Sequence, residues 1–172
     1  MAELGQDWKI AALMFLYLCA SFFLELIKVK DDKYYMELAY KEAEKAYKKE
    51  EIPIGAVIVC DGKLIAKAHN QRDKSNIVTR HAEIIAIEKA NKKKNNWRLN
   101  DCVLYTTLEP CNMCMEVIKS SKLSKVIYAA NSTSNTSDST ENSFKQIEDE
   151  KIIKVCTGII QRAFKQIRER DK

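Results

Sequence analysis

The sequence predicts an α/β domain, a three-layer α/β/α sandwich built on a mixed five-stranded sheet. Three observations carry this. Short β-prone runs alternate with longer amphipathic stretches; a length of 172 residues suits one domain with a real core; no internal repeat or heptad run interrupts the alternation. Strands alternating with helices imply a sheet covered on both faces.

Taken in order, Met36, Ala39, Tyr40, Ala43, Ala46 and Tyr47 recur at helical spacing and give the first helix an apolar stripe. IPIGAVIV is a strand-like run, Asp61-Gly62 is a two-residue hairpin signal and KLIAKAH returns, so the first two strands pair antiparallel. Next come a helix opened by His81, the strand VLYTT (Val103 to Thr107), a helix beginning near Pro110, and the strand KVIYAA (Lys125 to Ala130). IIKVC (Ile152 to Cys156) is expected as the fifth strand, and the last helix is expected to bury Ile159, Ile160, Ala163, Phe164 and Ile167.

Two segments stand outside this pattern. Residues 1–30 read as a hydrophobic N-terminal extension ahead of a domain spanning 31–172. Within the extension, Ile10 to Ile27 runs for 18 positions with a single charge, Glu25, at the lower limit for a membrane span. Glu3 and Asp7 outweigh Lys9 and no small-residue cleavage site follows, so a secretory signal is not expected. The segment reads first as an extension or packing helix, and second as a membrane anchor. Residues 131–143 are all polar and read as a flexible loop that cannot bury itself.

Net charge is only +5, which describes a solvated lysine-rich surface and a weak disposition toward polyanions. The six cysteines are unevenly spaced in a chain of this length, the pattern of a reduced, cytosolic protein with one functional pair. Cys60, Cys102 and Cys156 lie in or beside strand-like runs and read as small buried hydrophobes.

That functional pair lies in LEPCNMC. Taken alone, Cys111-x-x-Cys114 fits a redox dithiol, a structural zinc site or chance. Against the first, the only prolines are Pro53 and Pro110, so none lies downstream beside the dithiol; against the second, no other Cys-x-x-Cys is present. His81 changes the balance. With Cys111 and Cys114 it supplies three nitrogen and sulfur ligands from the starts of two helices, leaving the open fourth position of a catalytic zinc site. Helix starts favour thiolates through their unpaired N–H groups and positive dipole end, and Pro110 suits a first turn. Two thiolates neutralise Zn²⁺, so such a site needs a general base. Glu83, two positions from His81, is the candidate.

His81-Ala82-Glu83 followed by Pro110-Cys111-x-x-Cys114 resembles the His-x-Glu and Pro-Cys-x-x-Cys signature of the zinc-dependent cytidine and deoxycytidylate deaminases. Within it the likeness is to bacterial tRNA-specific adenosine deaminases, carried by EEIPIGAVIV, HNQR, TRHAEIIAIEKA, NNWRLNDCVLYTTLEPCNMC and SKLSKVIYAA. The resemblance implies a cytidine deaminase-like fold, Zn²⁺ on His81, Cys111 and Cys114, Glu83 as the catalytic proton carrier, and Asn70 as a substrate-binding residue. It also implies conversion of adenosine to inosine at the wobble position of a tRNA anticodon loop by a zinc-activated water, in a cytoplasmic homodimer. By spacing alone Asn70 fits a turn cap equally well. Trp97-Arg98-Leu99 matches an aromatic-Arg-Leu stretch of these enzymes, and Lys92 to Lys94 with Arg162, Lys165 and Arg168 are candidates for RNA phosphates. His69 has no motif role.

One departure matters. Where tRNA deaminases carry a small-Arg-Asp-x-Lys-x-Gly loop, this chain reads Ala130-Asn131-Ser132-Thr133-Ser134. A deaminase of a free base or nucleoside, of guanine or cytosine type, is therefore the runner-up, and a zinc-stabilised scaffold is the non-enzymatic alternative.

Overall fold

The computed structural model describes residues 31–132 and 143–170. The readings of residues 1–30 and of most of the polar loop lie outside them. No helix among the described residues is long and apolar enough to cross a membrane.

Helix α1 (Asp32–Lys48) starts where the Asp31 side chain accepts the Tyr34 N–H at 2.9 Å, and it buries Tyr35, Met36, Ala39, Ala43 and Ala46. Tyr40 and Tyr47 of the expected stripe lie half-buried at its margin. Strands β1 (Gly55–Cys60) and β2 (Lys63–His69) form the antiparallel hairpin, turned at Asp61 and Gly62 with φ of 50° and 70°. Positive φ at both central residues matches the twist of the flanking strands, which is why Asp-Gly sits there. A short helix α2 (Arg72–Ser75) leads into α3 (Ala82–Lys94). Then follow β3 (Cys102–Leu108), α4 (Asn112–Ser120), β4 (Lys125–Ala130), β5 (Phe144–Gln146) and α5 (Glu150–Arg170).

The sheet order is β2-β1-β3-β4-β5, antiparallel across β2-β1-β3 and parallel across β3-β4-β5. Alternation along the strands feeds two cores. Ala56, Ile58, Leu104 and Val126 pack against α3 and α4, whereas Val57, Val59, Tyr105 and Ile127 pack against α1 and α5. The expected mixed three-layer sheet is thereby realised.

The fifth strand is not the one expected. Ile152 to Cys156 belongs to α5, whose buried positions Ile152, Cys156, Ile159, Ile160 and Ala163 follow helical rather than alternating spacing. β-branched residues favour strands only where a sheet receives them, and here Asp149 caps a helix instead, its side chain accepting the Ile152 N–H at 3.1 Å. Phe164 is 43% exposed, off the buried face to which Ala163 belongs. Pro110 precedes the helix: Cys111 is the N-cap of α4 and Asn112 its first residue. Cys60 and Cys102 face each other across β1 and β3 and are joined as a disulfide, which corrects their reading as separate buried thiols. Cys156 is free and buried, and burial pushes its thiol up to about 12.

Gly55 fixes how closely α1 approaches the sheet. A Cβ there would fall onto the Ala39 carbonyl oxygen and within 2.5 Å of the Ala43 nitrogen, both helix backbone atoms that cannot turn aside. Gly55→Ala is therefore expected to cost about 3 kcal/mol. The check is the urea midpoint at constant m-value, and a midpoint equal to that of the parent would show that the helix has room to spare.

Candidate active site

The site is assembled at two helix starts. His81 occupies the N-cap of α3 (φ −76°, ψ 150°) and Cys111 that of α4 (φ −70°, ψ 167°), and neither side chain caps its own helix. A serine or aspartate there would turn its oxygen back onto the first-turn N–H groups. An imidazole and a thiol instead point across the gap at one another. Cys114, three residues on from Cys111, projects from the same face of α4. Thus His81 Nδ1 lies 3.5 Å from Cys114 Sγ and 3.7 Å from Cys111 Sγ. The three ligand atoms fall within 4.8 Å of one another.

Electrostatics tie the cluster together. Cys111 is pulled down to about 3, first by the hydrogen bond from Cys114 and then by His81, while the same partnership with Cys111 pushes Cys114 upward. His81 is raised, chiefly by its contact with Cys111. One proton thus serves two sulfurs, and a divalent cation seated among them would stabilise both as thiolates. One nitrogen and two sulfurs form a donor set suited to zinc. Glu83 completes the arrangement. Only 3% exposed, it is raised to about 7 by burial, and it interacts with Cys114. Its Oε2 is buried without a hydrogen-bond partner among the described residues. A buried carboxyl oxygen without a partner is costly in a core and useful where a proton must be carried.

Backbone pairing ties the Asn70 segment to the one that precedes His81. The Asn70 N–H donates to Ile54 O at 3.0 Å, and the next N–H, of Gln71, donates at 3.0 Å to the carbonyl of Arg80, the residue before His81. The Asn70 side chain does not cap a turn. It is 2% exposed, and Nδ2 donates to Glu51 Oε2 at 3.0 Å. Glu51 is the second of two adjacent glutamates, and its spacing does not distinguish it from a surface carboxylate.

The remaining expectations divide. His69 is held between Glu42, at 3.2 Å from Nδ1, and Lys49, at 3.0 Å from Nε2, in a network on α1 that includes no metal ligand. In the Trp97-Arg98-Leu99 stretch, Leu99 is fully buried, whereas Trp97 is 52% exposed with the Arg98 guanidinium 4.1 Å from its ring centre. Lys94 pairs with Asp101 at 3.1 Å, which draws it out of the basic run, while Lys92, Lys93, Arg162, Lys165 and Arg168 are exposed.

Comparison with known proteins agrees with this geometry. Residues 29–130 match the family model described as the cytidine and deoxycytidylate deaminase zinc-binding region. A tRNA-specific adenosine deaminase of Streptococcus pyogenes serotype M18 (strain MGAS8232) is 40% identical over 153 residues, covering 84% of this chain and 96% of that protein. One from Bacillus subtilis (strain 168) is 46% identical over 99 residues, 58% of this chain and 62% of its own. Among solved structures, a tRNA:A34 deaminase studied for A-to-I editing at the wobble position of transfer RNA superposes with a TM-score of 0.62 at 35% identity, over 67% of this chain and 98% of that one. A guanine deaminase from Bacillus subtilis gives 0.56 at 40% identity, over 59% and 65%.

Proposed function

The chain belongs to the cytidine and deoxycytidylate deaminase family, and from that premise we propose that it hydrolyses adenosine to inosine at the wobble position of a tRNA anticodon loop. The observation that carries this reading is the convergence of His81, Cys111 and Cys114 beside a buried Glu83 with an oxygen to spare. The extended likeness to tRNA-specific adenosine deaminases supports the substrate class.

His81, Cys111 and Cys114 would hold zinc, which when bound would supply the Lewis acidity that lets water act as a nucleophile at neutral pH. Glu83 would take one proton from the water that adds to C6 of adenine and deliver it to a ring nitrogen, then take the second proton from the C6 hydroxyl and pass it to the amino group, which leaves as ammonia as the C6 carbonyl forms. Its burial suits both directions of transfer, because a carboxyl raised toward neutrality takes and releases protons with similar ease. The first-turn N–H groups of α4 hold developing negative charge beside Cys111. Asn70 hydrogen-bonds the base. The exposed lysines and arginines of α3 and α5 meet RNA phosphates, and a second copy of the chain completes the RNA surface in a cytoplasmic homodimer.

Side-by-side assays of the purified protein on adenosine, cytosine, guanine and an anticodon stem-loop test this. Inosine is expected at the wobble adenosine of the stem-loop, with activity falling steeply as salt rises, because phosphate contacts release counterions. Turnover of guanine or another free base alone would favour the runner-up, for which Asn131 to Ser134 in place of a basic loop is the specific observation.

A further inference from the structure

We propose that Glu51 is the positioning residue for Asn70, fixing which way its amide faces before a substrate arrives; this rests on the reading of Asn70 as the base-binding residue. Glu51 is 3% exposed, and its carboxylate is met by three N–H donors. Asn70 Nδ2 lies 3.0 Å and Asp73 N 3.2 Å from Oε2, with Lys74 N 2.8 Å from Oε1.

The chain turns this carboxylate inward by the way α1 ends. Glu50 adopts φ 61°, its N–H bonds Tyr47 O at 3.0 Å, and the Glu51 N–H bonds Ala46 O at 3.1 Å. Those two bonds with a left-handed residue between helix and exit form a Schellman cap, a position glycine usually takes. A glutamate accepts the left-handed cost here, and its neighbour is delivered to the interior.

The chemistry of the pair is one-sided. A carboxylate only accepts, so it selects the NH2 group of the Asn70 amide and directs Oδ1 the other way. An asparagine without such a partner could present either end, and a substrate would have to select the productive one. Glu51 performs that selection in the fold. The same carboxylate accepts the Asp73 and Lys74 N–H groups at the start of α2, and these two bonds hold the carboxylate itself in place against Asn70.

A double-mutant cycle tests the proposal on anticodon stem-loop RNA, with zinc content measured for every variant. Glu51→Ala is expected to lower kcat/KM by about tenfold, the worth of one well-placed hydrogen bond, chiefly through KM and with zinc retained. Asn70→Ala should cost at least as much. In the Asn70→Ala background, adding Glu51→Ala should change kcat/KM by less than about twofold, because there is no amide left to orient. Glu51→Gln keeps the side-chain volume and one acceptor, so it should lose less than alanine does, and it closes the same cycle should the alanine variant fail to fold. Additive losses would overturn the proposal and make Glu51 a clamp of the fold alone. A silent Glu51→Ala beside a damaged Asn70→Ala would overturn it while leaving the Asn70 reading intact. A silent Asn70→Ala would remove both.

Discussion

Glu83→Gln is expected to lower kcat by about a thousandfold while the protein still binds one zinc per chain. Metal retention follows because the three converging ligand atoms belong to His81, Cys111 and Cys114, and the Glu83 carboxyl is not one of them. Loss of turnover follows because glutamine keeps the volume and one oxygen of the side chain but cannot take up and hand on a proton. Fold stability should change little, since the substitution replaces a buried ionisable group whose Oε2 has no partner to lose. Inosine or ammonia release, zinc content and the urea midpoint are measured on one preparation. Turnover at the parent rate would remove Glu83 from the reaction, whereas loss of zinc would recast it as a ligand. A scaffold built around a closed structural ion has no use for such a carboxyl.

The cluster of His81, Cys111 and Cys114 is legible in the sequence because the spacing within each motif is local. His81 with Glu83, and Cys111 with Cys114, each fall within one helical turn, so placing both pairs at helix starts already orients the side chains. What had to be found in the fold depends on contacts between distant segments. Cys60 and Cys102 become partners only when β1 and β3 are set side by side in register. Glu51 becomes a buried anchor only when the end of α1 meets the loop after β2, and its identity alone says nothing of burial. The misassigned fifth strand has a different cause. Ile152, Ile153 and Val155 carry strand preference, yet the apolar positions continue at helical intervals to Ala163, and over that longer span the period outweighs the local composition. The actual edge strand, Phe144–Gln146, is three residues long, too short for alternation to register.

Cys114→Ala should lose both the metal and the reaction, and that pairing sets it apart from Glu83→Gln. Cys114 is fully buried between α4 and the sheet, so truncation leaves His81 and Cys111 as a two-ligand remnant that cannot hold zinc at ordinary concentrations. Turnover should fall to the uncatalysed background. Stability should fall as well, because an ion bound only by the folded state stabilises it in proportion to the logarithm of its saturation, about 4 kcal/mol at a thousandfold excess over Kd. The fold should survive this loss, since the core on the α1 and α5 face of the sheet contains no metal ligand. The same increment should appear when the parent protein is stripped by a chelator, and it should return on adding zinc. In Cys114→Ala, added zinc should restore neither stability nor activity. Zinc retained at one per chain by that variant would mean that the ion is held by other atoms, and the assignment of His81, Cys111 and Cys114 would fail with it.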